Sequence, residues 1–254
     1  MVGLDGSMEN KENIKKHFNK KDTVRNYSNN FKNEFSGINF SFCKRLSLVS
    51  SMIERKIDSI LDIGVGTGEI TSKIIEENQV QAVTIIDVSD KMLSAARDNI
   101  LKLPKEIDIK CINSDCETLD PLTGKFDIIL CLGLIAYIDD FEGFLVKLKK
   151  HLKPDSEVII QSSLSNNIGL KLMYKLSFKR NLSSFGFKTK IYELEELRSI
   201  LKRNNFVILK EIRYLLSIPY ANKLSSLNYF LEFIFQPISK YVGSEILLKV
   251  SHKE

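Results

Sequence analysis

The chain has few of the residues that build metal centres and disulfide frameworks. Its 254 residues include four cysteines, three histidines and no tryptophan. The cysteines are Cys43, Cys111, Cys116 and Cys131, and none of them forms a C-x-x-C pair. Zinc sites need closely spaced cysteine and histidine ligands, and disulfide frameworks need paired cysteines. We therefore expect reduced cysteines that pack as small hydrophobic residues.

Long apolar runs are also missing. No run reaches the roughly 18–20 apolar residues needed to cross a bilayer, and the N-terminus lacks the charged-then-apolar pattern of a signal peptide. We therefore expect a soluble, cytoplasmic protein. Residues 1–7 precede a second methionine, Met8, and are interpreted as an added leader that takes no part in the fold.

Charge is unevenly distributed along the chain. Residues 1–56 hold 11 Lys and Arg against 6 Asp and Glu, residues 57–161 hold 11 against 19, and residues 162–254 hold 15 against 7. The overall net charge of +5 therefore hides an acidic centre flanked by two basic segments. Segregation of this kind bears on the partners that a protein attracts.

The central segment alternates between strand and helix patterns. Short apolar strands are predicted at 58–63, 80–87, 107–112, 126–132 and 158–161. Three helices are predicted between them: one at 69–77, a second that begins after an N-cap at Ser89, and a third at 141–152. Such alternation indicates βαβ units and a parallel sheet with helices on both faces.

The flanking segments follow other patterns. Residues 8–56 are predicted to form an N-terminal helical cap with a polar break at 26–33. After residue 161 the sequence predicts an irregular insertion at 162–190, a helix at 194–203, a strand at 206–213, a largely helical stretch at 224–241 and a last strand at 245–250.

A glycine-rich turn follows the first predicted strand, with glycines at Gly64, Gly66 and Gly68. A turn of this kind, opening a helix, lets backbone N–H groups approach a nucleotide. Asp62 lies two residues before the first glycine, and Asp87 ends the next strand, where a carboxylate can accept both hydroxyls of a ribose. The G-x-G-x-G spacing differs from the G-x-G-x-x-G of dinucleotide sites, so a nicotinamide-binding domain is the weaker alternative.

These residues and their order resemble the class I S-adenosylmethionine-dependent methyltransferases of the broad small-molecule type (methyltransferase type 11/25-like). The resemblance covers residues 57–161 as the S-adenosylmethionine-binding core and extends more loosely to residue 213. It implies an α/β fold with a doubly wound, Rossmann-like seven-stranded sheet whose last strand is antiparallel. Residues 162–254 would supply an inserted lid and the strands that complete the same domain. The implied cofactor is S-adenosyl-L-methionine, with S-adenosyl-L-homocysteine as product.

The resemblance also implies roles for the loop residues. Gly64, Gly66 and Gly68 would pass the methionine and ribose portions of the cofactor. Asp62 would support the loop and the methionine amine, and Asp87 would bind the ribose hydroxyls.

Further cofactor contacts are implied at the ends of the later strands. Val88 and Met92 would pack near the adenine. Asp115, followed by Cys116, matches the position of an acid placed against the adenine amino group, and Leu132 would line the sulfonium side.

Two tyrosines match positions near the reacting atoms. Tyr27 matches a tyrosine that closes over the methionine carboxylate. Tyr137 follows the fourth strand, where relatives often carry a histidine or another polar residue that faces the acceptor. A phenol has a pKa near 10, so we expect Tyr137 to orient the acceptor by a hydrogen bond, the alternative being a packing role.

Several reactions are disfavoured by missing motifs. The sequence has no Asn/Asp-Pro-Pro-Tyr motif and no Pro-Cys motif, which argues against exocyclic amine or glutamine amide methylation and against covalent pyrimidine methylation. We expect methyl transfer to the O or N of a small molecule with a large apolar or anionic portion. The alternatives are a non-catalytic regulatory subunit that binds S-adenosylmethionine or S-adenosylhomocysteine, an RNA methyltransferase, and aminopropyl transfer, which basic flanks fit badly.

The basic flanks leave two interpretations open. Lys171, Lys175 and Lys179 recur at i, i+4 and i+8, and residues 227–235 are dense in aromatics. A lysine repeat of this kind usually forms a solvent-exposed helix face, and an aromatic segment usually packs in the hydrophobic core. They would also suit a lid over a large apolar acceptor, with peripheral contact to a membrane surface. The aromatics are not interleaved with Lys and Arg, so a nucleic-acid partner is disfavoured.

Overall fold

The computed structural model describes residues 3–31, 37–119, 122–165, 187–215, 234 and 236–253. The helices of this part are α1 (Gly3–Phe18), α2 (Lys21–Asn29), α3 (Gly37–Met52), α4 (Glu69–Glu77), α5 (Asp90–Leu101), α6 (Phe141–Lys149), α7 (Leu194–Arg203) and α8 (Gln236–Val242). The strands are β1 (Ser59–Ile63), β2 (Ala82–Asp87), β3 (Asp108–Asn113), β4 (Phe126–Leu132), β5 (Leu152–Ser163), β6 (Phe206–Tyr214) and β7 (Glu245–His252).

All seven strands join one sheet in the order β3-β2-β1-β4-β5-β7-β6. Strands β1 to β5 pair in parallel, and β7 pairs antiparallel with both β5 and β6. The chain moves outward from β1 to β3 and then returns to β4 beside β1. Ligands of doubly wound sheets bind at such a reversal, outside the carboxyl ends of the strands. The predicted sheet, with its last strand antiparallel, is confirmed.

Alternate side chains of the central strands enter cores on opposite faces of the sheet, as the period of a strand requires. Leu61 and Ile63 of β1 belong to the cluster that contains Phe144 of α6. Ile60 belongs to the cluster on the other face, which contains Ile74 of α4. Because both faces are covered by helices, the carboxyl edge of the sheet is left as the place where polar groups converge.

The start of α5 agrees with the capping pattern in the sequence. The Ser89 hydroxyl accepts a hydrogen bond from the Met92 amide at 3.1 Å, and its backbone is extended, as an N-cap requires. Since β2 ends at Asp87, this cap fixes the direction in which the chain leaves the carboxyl edge.

Two boundaries predicted from the sequence were placed too late: the end of the helix at 152 and the start of the fifth strand at 158. Helix α6 ends at Lys149, and β5 begins at Leu152 and includes Pro154. The pairing of β4 with β5 shifts register between Phe126 and Ile128, and proline is tolerated in a strand at such an irregularity. The Ser156 hydroxyl donates to the Phe126 carbonyl at 2.5 Å and so bridges the gap.

The predicted polar break at 26–33 was also placed too early. Helix α2 continues to Asn29, and the Asn30 amide donates to the Asn26 carbonyl at 3.2 Å. Packing of the Tyr27 ring against Phe42 overrides the weak helix propensity of this polar stretch. Helix α1 begins at Gly3, so residues 3–7 are helical, and the leader interpretation stays a prediction.

Two predicted features of the C-terminal third fall largely outside the described residues: the lysine stripe of Lys171, Lys175 and Lys179, and the aromatic segment 227–235 apart from Ile234. In the part of the chain that is described, no helix has both the length and the apolar character to span a membrane.

A buried cation ties the N-terminal helices to the sheet. Lys249 of β7 is only 5% exposed. Its ammonium lies 3.3 Å from Glu157 of β5 and donates to the carbonyl of Met52, the last residue of α3, at 3.0 Å. A positive charge is favourable at a helix C-terminus, and a buried carboxylate needs a partner.

Removal of this cation is expected to destabilise the fold strongly. Lys249→Met leaves Glu157 buried without its main partner, so the free energy of unfolding should fall by about 3–5 kcal/mol. Lys210→Met, which removes a surface partner of Glu54, should cost about 1 kcal/mol or less. Denaturant unfolding followed by circular dichroism measures both changes. Equal losses in the two variants would contradict this account of Lys249.

Candidate functional site

A cavity of about 450 Å³ opens at the carboxyl ends of the parallel strands. This volume lies within the roughly 300–1,000 Å³ of small-molecule and cofactor sites. Its walls come from α1 to α3, from the ends of β2 to β5, from the turn after β4, and from the start of β7. Ten residues predicted from the sequence line it: Tyr27, Gly64, Gly66, Asp87, Val88, Met92, Asp115, Cys116, Leu132 and Tyr137.

The glycine loop forms the floor of this cavity. The amides of Gly64 and Val65 both donate to the Ile86 carbonyl, at 2.8 and 3.1 Å, so the loop is fixed to the end of β2. Gly66 has φ 60°, and a Cβ there would lie 2.9 Å from the ring of Tyr27. Tyr27 therefore covers the loop, and its predicted contact with a methionine carboxylate stays a prediction.

Gly68 is not among the residues that line the cavity, and its predicted contact with a cofactor stays a prediction. It precedes the first residue of α4 with φ 78°, and a Cβ there would lie 2.9 Å from the Cα of Ala96 in α5. Close packing of the start of α4 against α5 is sufficient to explain this glycine.

Asp87 is held as a hydrogen-bond acceptor at the end of β2. Its carboxylate accepts the Gly66 amide at 3.0 Å and the Ser89 amide at 2.9 Å. The side chain is 8% exposed, and burial raises the pKa of Asp87 to about 6 even though these backbone donors favour the charged form. A carboxylate in this position can accept further hydrogen bonds from a ligand in the cavity.

Asp62 lies beneath the loop, outside the main cavity but on the wall of a smaller adjoining one. The Thr71 hydroxyl donates to its carboxylate. Burial, helped by the charge of Asp87, raises the pKa of Asp62 to about 7. The same small cavity is bounded by Glu69 and Arg45.

Arg45 is a site residue that the sequence did not point to. Its guanidinium donates to the Gln161 side-chain oxygen at 3.1 Å and to the Tyr27 hydroxyl at 3.5 Å. Its Nε is buried with no hydrogen-bond partner, and so is Oε1 of Glu69. Buried polar atoms are seldom left unpaired in proteins. Of the two residues, Arg45 also borders the main cavity, whereas Glu69 borders only the small adjoining one, whose volume of about 10 Å³ admits about one water molecule.

The far end of the cavity is lined by Val88, Met92, Asp115 and Cys116. Lys11 of α1 lies 2.9 Å from the Asp115 carboxylate and also pairs with Glu117. Burial alone would raise the pKa of Asp115, but the Glu117 amide and the Lys11 ammonium outweigh it and hold the pKa below its ordinary value. Burial raises the pKa of the Cys116 thiol, so Cys116 is a neutral wall residue.

The middle of the cavity is bounded by Leu132, Gly133 and Tyr137. Tyr137 packs against Phe18 and Phe187, with ring centroids 5.9 and 6.0 Å apart. Burial raises the pKa of Tyr137 above its ordinary value, which leaves its hydroxyl protonated. The residue can donate a hydrogen bond and is a poor base.

Beyond Gly133, the wall includes Gln161, Ser163 and Glu245, none of which the sequence pointed to. Gln161 did carry a signal, because it is a polar residue that directly follows the apolar run 158–160 of a parallel strand. Glu245 carried none: the first residue of a last, antiparallel strand is unremarkable in sequence. Arg45 was equally hidden, since a charged residue in a helix is usually solvated.

A family model described as "Methyltransferase domain" matches residues 60–155. The ubiquinone biosynthesis O-methyltransferase of Idiomarina loihiensis is 32% identical over 110 residues, which are 43% of this chain and 43% of that protein. The mitochondrial ubiquinone biosynthesis O-methyltransferase of Saccharomyces cerevisiae is 26% identical over 122 residues, which are 48% of this chain and 38% of the yeast protein. The chain thus matches less than half the length of these curated relatives.

Solved structures with a similar fold cover nearly the whole chain. The magnesium protoporphyrin IX methyltransferase of Synechocystis PCC 6803 with bound SAH has a TM-score of 0.68 at 14% identity, covering 94% of this chain and 98% of that one. The N-methyltransferase NodS of Bradyrhizobium japonicum WM9 in complex with SAH has a TM-score of 0.60 at 14% identity, covering 98% and 100%. At these identities the likeness shows the fold. Within the chain, the match to the methyltransferase domain is confined to residues 60–155, which contain the glycine loop.

Proposed function

We propose that the chain binds S-adenosyl-L-methionine and transfers its methyl group to an oxygen of a small molecule, leaving S-adenosyl-L-homocysteine. The observation that carries this proposal is the main cavity at the carboxyl edge of the sheet, with the glycine loop as its floor and the Asp87 carboxylate at the end of β2. Arg45 borders the same cavity, and its buried Nε has no hydrogen-bond partner. The carboxylate of the cofactor's amino acid portion would supply that partner, and a hydrogen bond between charged groups is strong.

The rest of the cofactor fits the order of the walls. Asp87 accepts the ribose hydroxyls, Val88 and Met92 pack on the adenine, and Asp115 faces its amino group. Leu132 and Gly133 then border the sulfonium. The cofactor supplies an electrophilic methyl group. The protein has to hold the acceptor in line with that group and keep water away from it.

Transfer to oxygen is favoured by two observations, one from the comparisons and one from the cavity. The curated relatives are named as O-methyltransferases, although the chain matches only part of each. Phe18, Tyr137 and Phe187 form an aromatic cluster on one side, which suits a flat ring such as a phenol or catechol. Tyr137, kept protonated, orients the acceptor by donating a hydrogen bond to it.

The space beyond Gly133 also weighs against a purely regulatory cofactor-binding role. Gln161, Ser163 and Glu245 are polar wall residues past the sulfonium position, and a protein that only holds the cofactor has no need of them. A cytoplasmic location and contact with a membrane surface stay predictions.

The function is tested by offering the chain S-adenosyl-L-methionine labelled in its methyl group together with 4-methylcatechol and longer 4-alkylcatechols. We expect one labelled methyl group on a catechol oxygen, with longer chains methylated more efficiently because they bury more apolar surface. Mass spectrometry identifies the methylated atom. Binding of S-adenosyl-L-homocysteine without transfer to any catechol would contradict O-methylation of this acceptor class.

Arg45→Met is expected to weaken S-adenosyl-L-homocysteine binding about tenfold to a hundredfold, because a hydrogen bond to a charged group contributes about 1.5–3 kcal/mol. Binding of 5′-methylthioadenosine, which lacks the amino acid portion, should change little. Isothermal titration calorimetry compares the two ligands on one protein. An equal loss for both would mean that Arg45 acts on the fold of the cavity and does not contact the carboxylate.

Affinity for S-adenosyl-L-homocysteine is expected to fall below pH 6. The pKa of Asp87 is raised to about 6, so its carboxylate gains a proton as the pH falls and can no longer accept both ribose hydroxyls. The dissociation constant should rise about tenfold per pH unit once protonation is dominant. Asp87→Asn should bind the ligand weakly, and its affinity should depend less on pH. The variant therefore distinguishes protonation of Asp87 from protonation of Asp62, whose pKa is raised to about 7. If the wild type bound S-adenosyl-L-homocysteine with the same affinity at every pH from 5 to 8, this role of Asp87 would be excluded.

A further inference from the structure

Transfer to a hydroxyl needs a group that takes the hydroxyl proton, and the residues assigned above do not supply one. Tyr137 stays protonated. Two of the cavity's carboxylates, Asp87 and Asp115, lie at the ribose and adenine end. Among the described wall residues, Glu245 is the one carboxylate past Gly133.

The antiparallel seventh strand explains why Glu245 reaches the site. Strands β1 to β5 present their carboxyl ends at the cavity, and β7 runs the other way, so its first residue lies at that same edge. Glu245 is paired with Ser163, the last residue of β5. The reversal of one strand therefore adds an acidic side chain to an edge otherwise built from strand ends.

The carboxylate is held by two donors. The Ser163 hydroxyl donates to Oε1 at 2.7 Å, and the Gln161 amide nitrogen donates to Oε2. The guanidinium of Arg45 can only donate, so it fixes the oxygen of the Gln161 amide toward itself and the nitrogen toward Glu245. The orientation of Gln161 thus follows from its two charged neighbours.

Gln161 connects Glu245 to the turn at Gly133. A Cβ at Gly133 would lie 3.3 Å from the Gln161 oxygen and 3.4 Å from the Arg45 guanidinium. The nitrogen of the same Gln161 amide donates to Glu245, and Gly133 and Glu245 border the same cavity. Burial raises the pKa of Glu245 against the opposing effects of Ser163, Arg45 and Gln161, and a carboxylate with a raised pKa is the better base.

We propose, resting on the proposed methyl transfer, that Glu245 is the general base and that the acceptor is an aromatic hydroxyl. The Glu245 carboxylate takes the proton as the acceptor O–H bond breaks. The acceptor oxygen bonds to the methyl carbon while the bond from that carbon to sulfur breaks, and the electron pair of the broken bond stays on sulfur. The protonated carboxyl group then returns its proton to water when the methylated product leaves.

The test compares two acceptors that differ in acidity. With 4-methylcatechol, which is protonated at neutral pH, Glu245→Gln should slow methyl transfer about a hundredfold, the scale of general base catalysis. With 4-nitrocatechol, which is largely ionised at neutral pH, the same variant should retain most of the wild-type rate because no base is needed. The surface variant Glu76→Gln serves as the control and should match the wild type with both acceptors.

The other outcomes separate the possible roles of Glu245. S-adenosyl-L-homocysteine affinity, measured by calorimetry, should be unchanged in Glu245→Gln, which also shows that the cavity is intact. A parallel loss of this affinity would assign Glu245 to cofactor binding and overturn the proposal. Equal slowing with both catechols would overturn it in favour of a positioning role. If the wild type methylates neither catechol, the proposed function fails and this proposal with it, whereas a fully active Glu245→Gln enzyme defeats this proposal alone.

Discussion

The buried guanidinium of Arg45 joins the parts of the molecule on which the site depends. Its terminal nitrogens donate to Tyr27 of α2 and to Gln161 of β5, so one side chain of α3 connects the N-terminal helices to the edge of the sheet. A buried guanidinium is stable only when hydrogen-bonded acceptors surround it. Its acceptors, the Gln161 side-chain oxygen and the Tyr27 hydroxyl, belong to residues that border the cavity. The free-energy cost of burying the charge is therefore offset by groups that also form the cavity wall.

This arrangement divides the cavity into two halves with different origins. The half proposed for the cofactor is built from the glycine loop and the ends of β2 and β3, all within the acidic central segment. The half proposed for the acceptor is built from the N-terminal helices, the end of β5 and the start of β7. Gly133 lies at the boundary, where its φ of 70° favours glycine and a Cβ would pack tightly against the hydrogen-bonded pair of Arg45 and Gln161.

The first half could be predicted from sequence because its signals are local. Gly64, Gly66 and Asp87 lie at the ends of two consecutive strands, and the turn between a strand and a helix has its own residue preferences. Gly68 shows where local signals are ambiguous: its close packing against Ala96 would require a glycine with or without a ligand, and the sequence does not separate the two reasons. The end of α6 was predicted wrongly from a local signal. Pro154 indicates the stop of a helix, but in the structure it lies in β5, at a register shift that depends on pairing with β4.

The second half could not be predicted because its residues meet only through the fold. Arg45, Gln161 and Glu245 are far apart in the sequence, and only Gln161, which follows an apolar strand segment, has a local context that marks it. Their contact depends on the reversal of β7 and on the packing of α3 across the carboxyl edge, which are properties of the assembled sheet. This difference explains why the proposed donor could be inferred from the sequence, whereas the groups proposed to face the acceptor came only from the structure.

The central claim is that this carboxyl edge binds S-adenosyl-L-methionine with Asp87 on the ribose and Arg45 on the amino acid portion. A crystal structure with S-adenosyl-L-homocysteine bound tests it most directly. The account predicts both ribose hydroxyls within hydrogen-bond distance of Asp87 and the ligand carboxylate on the Arg45 guanidinium. A ligand whose ribose does not contact Asp87, or whose carboxylate points away from Arg45, would contradict it.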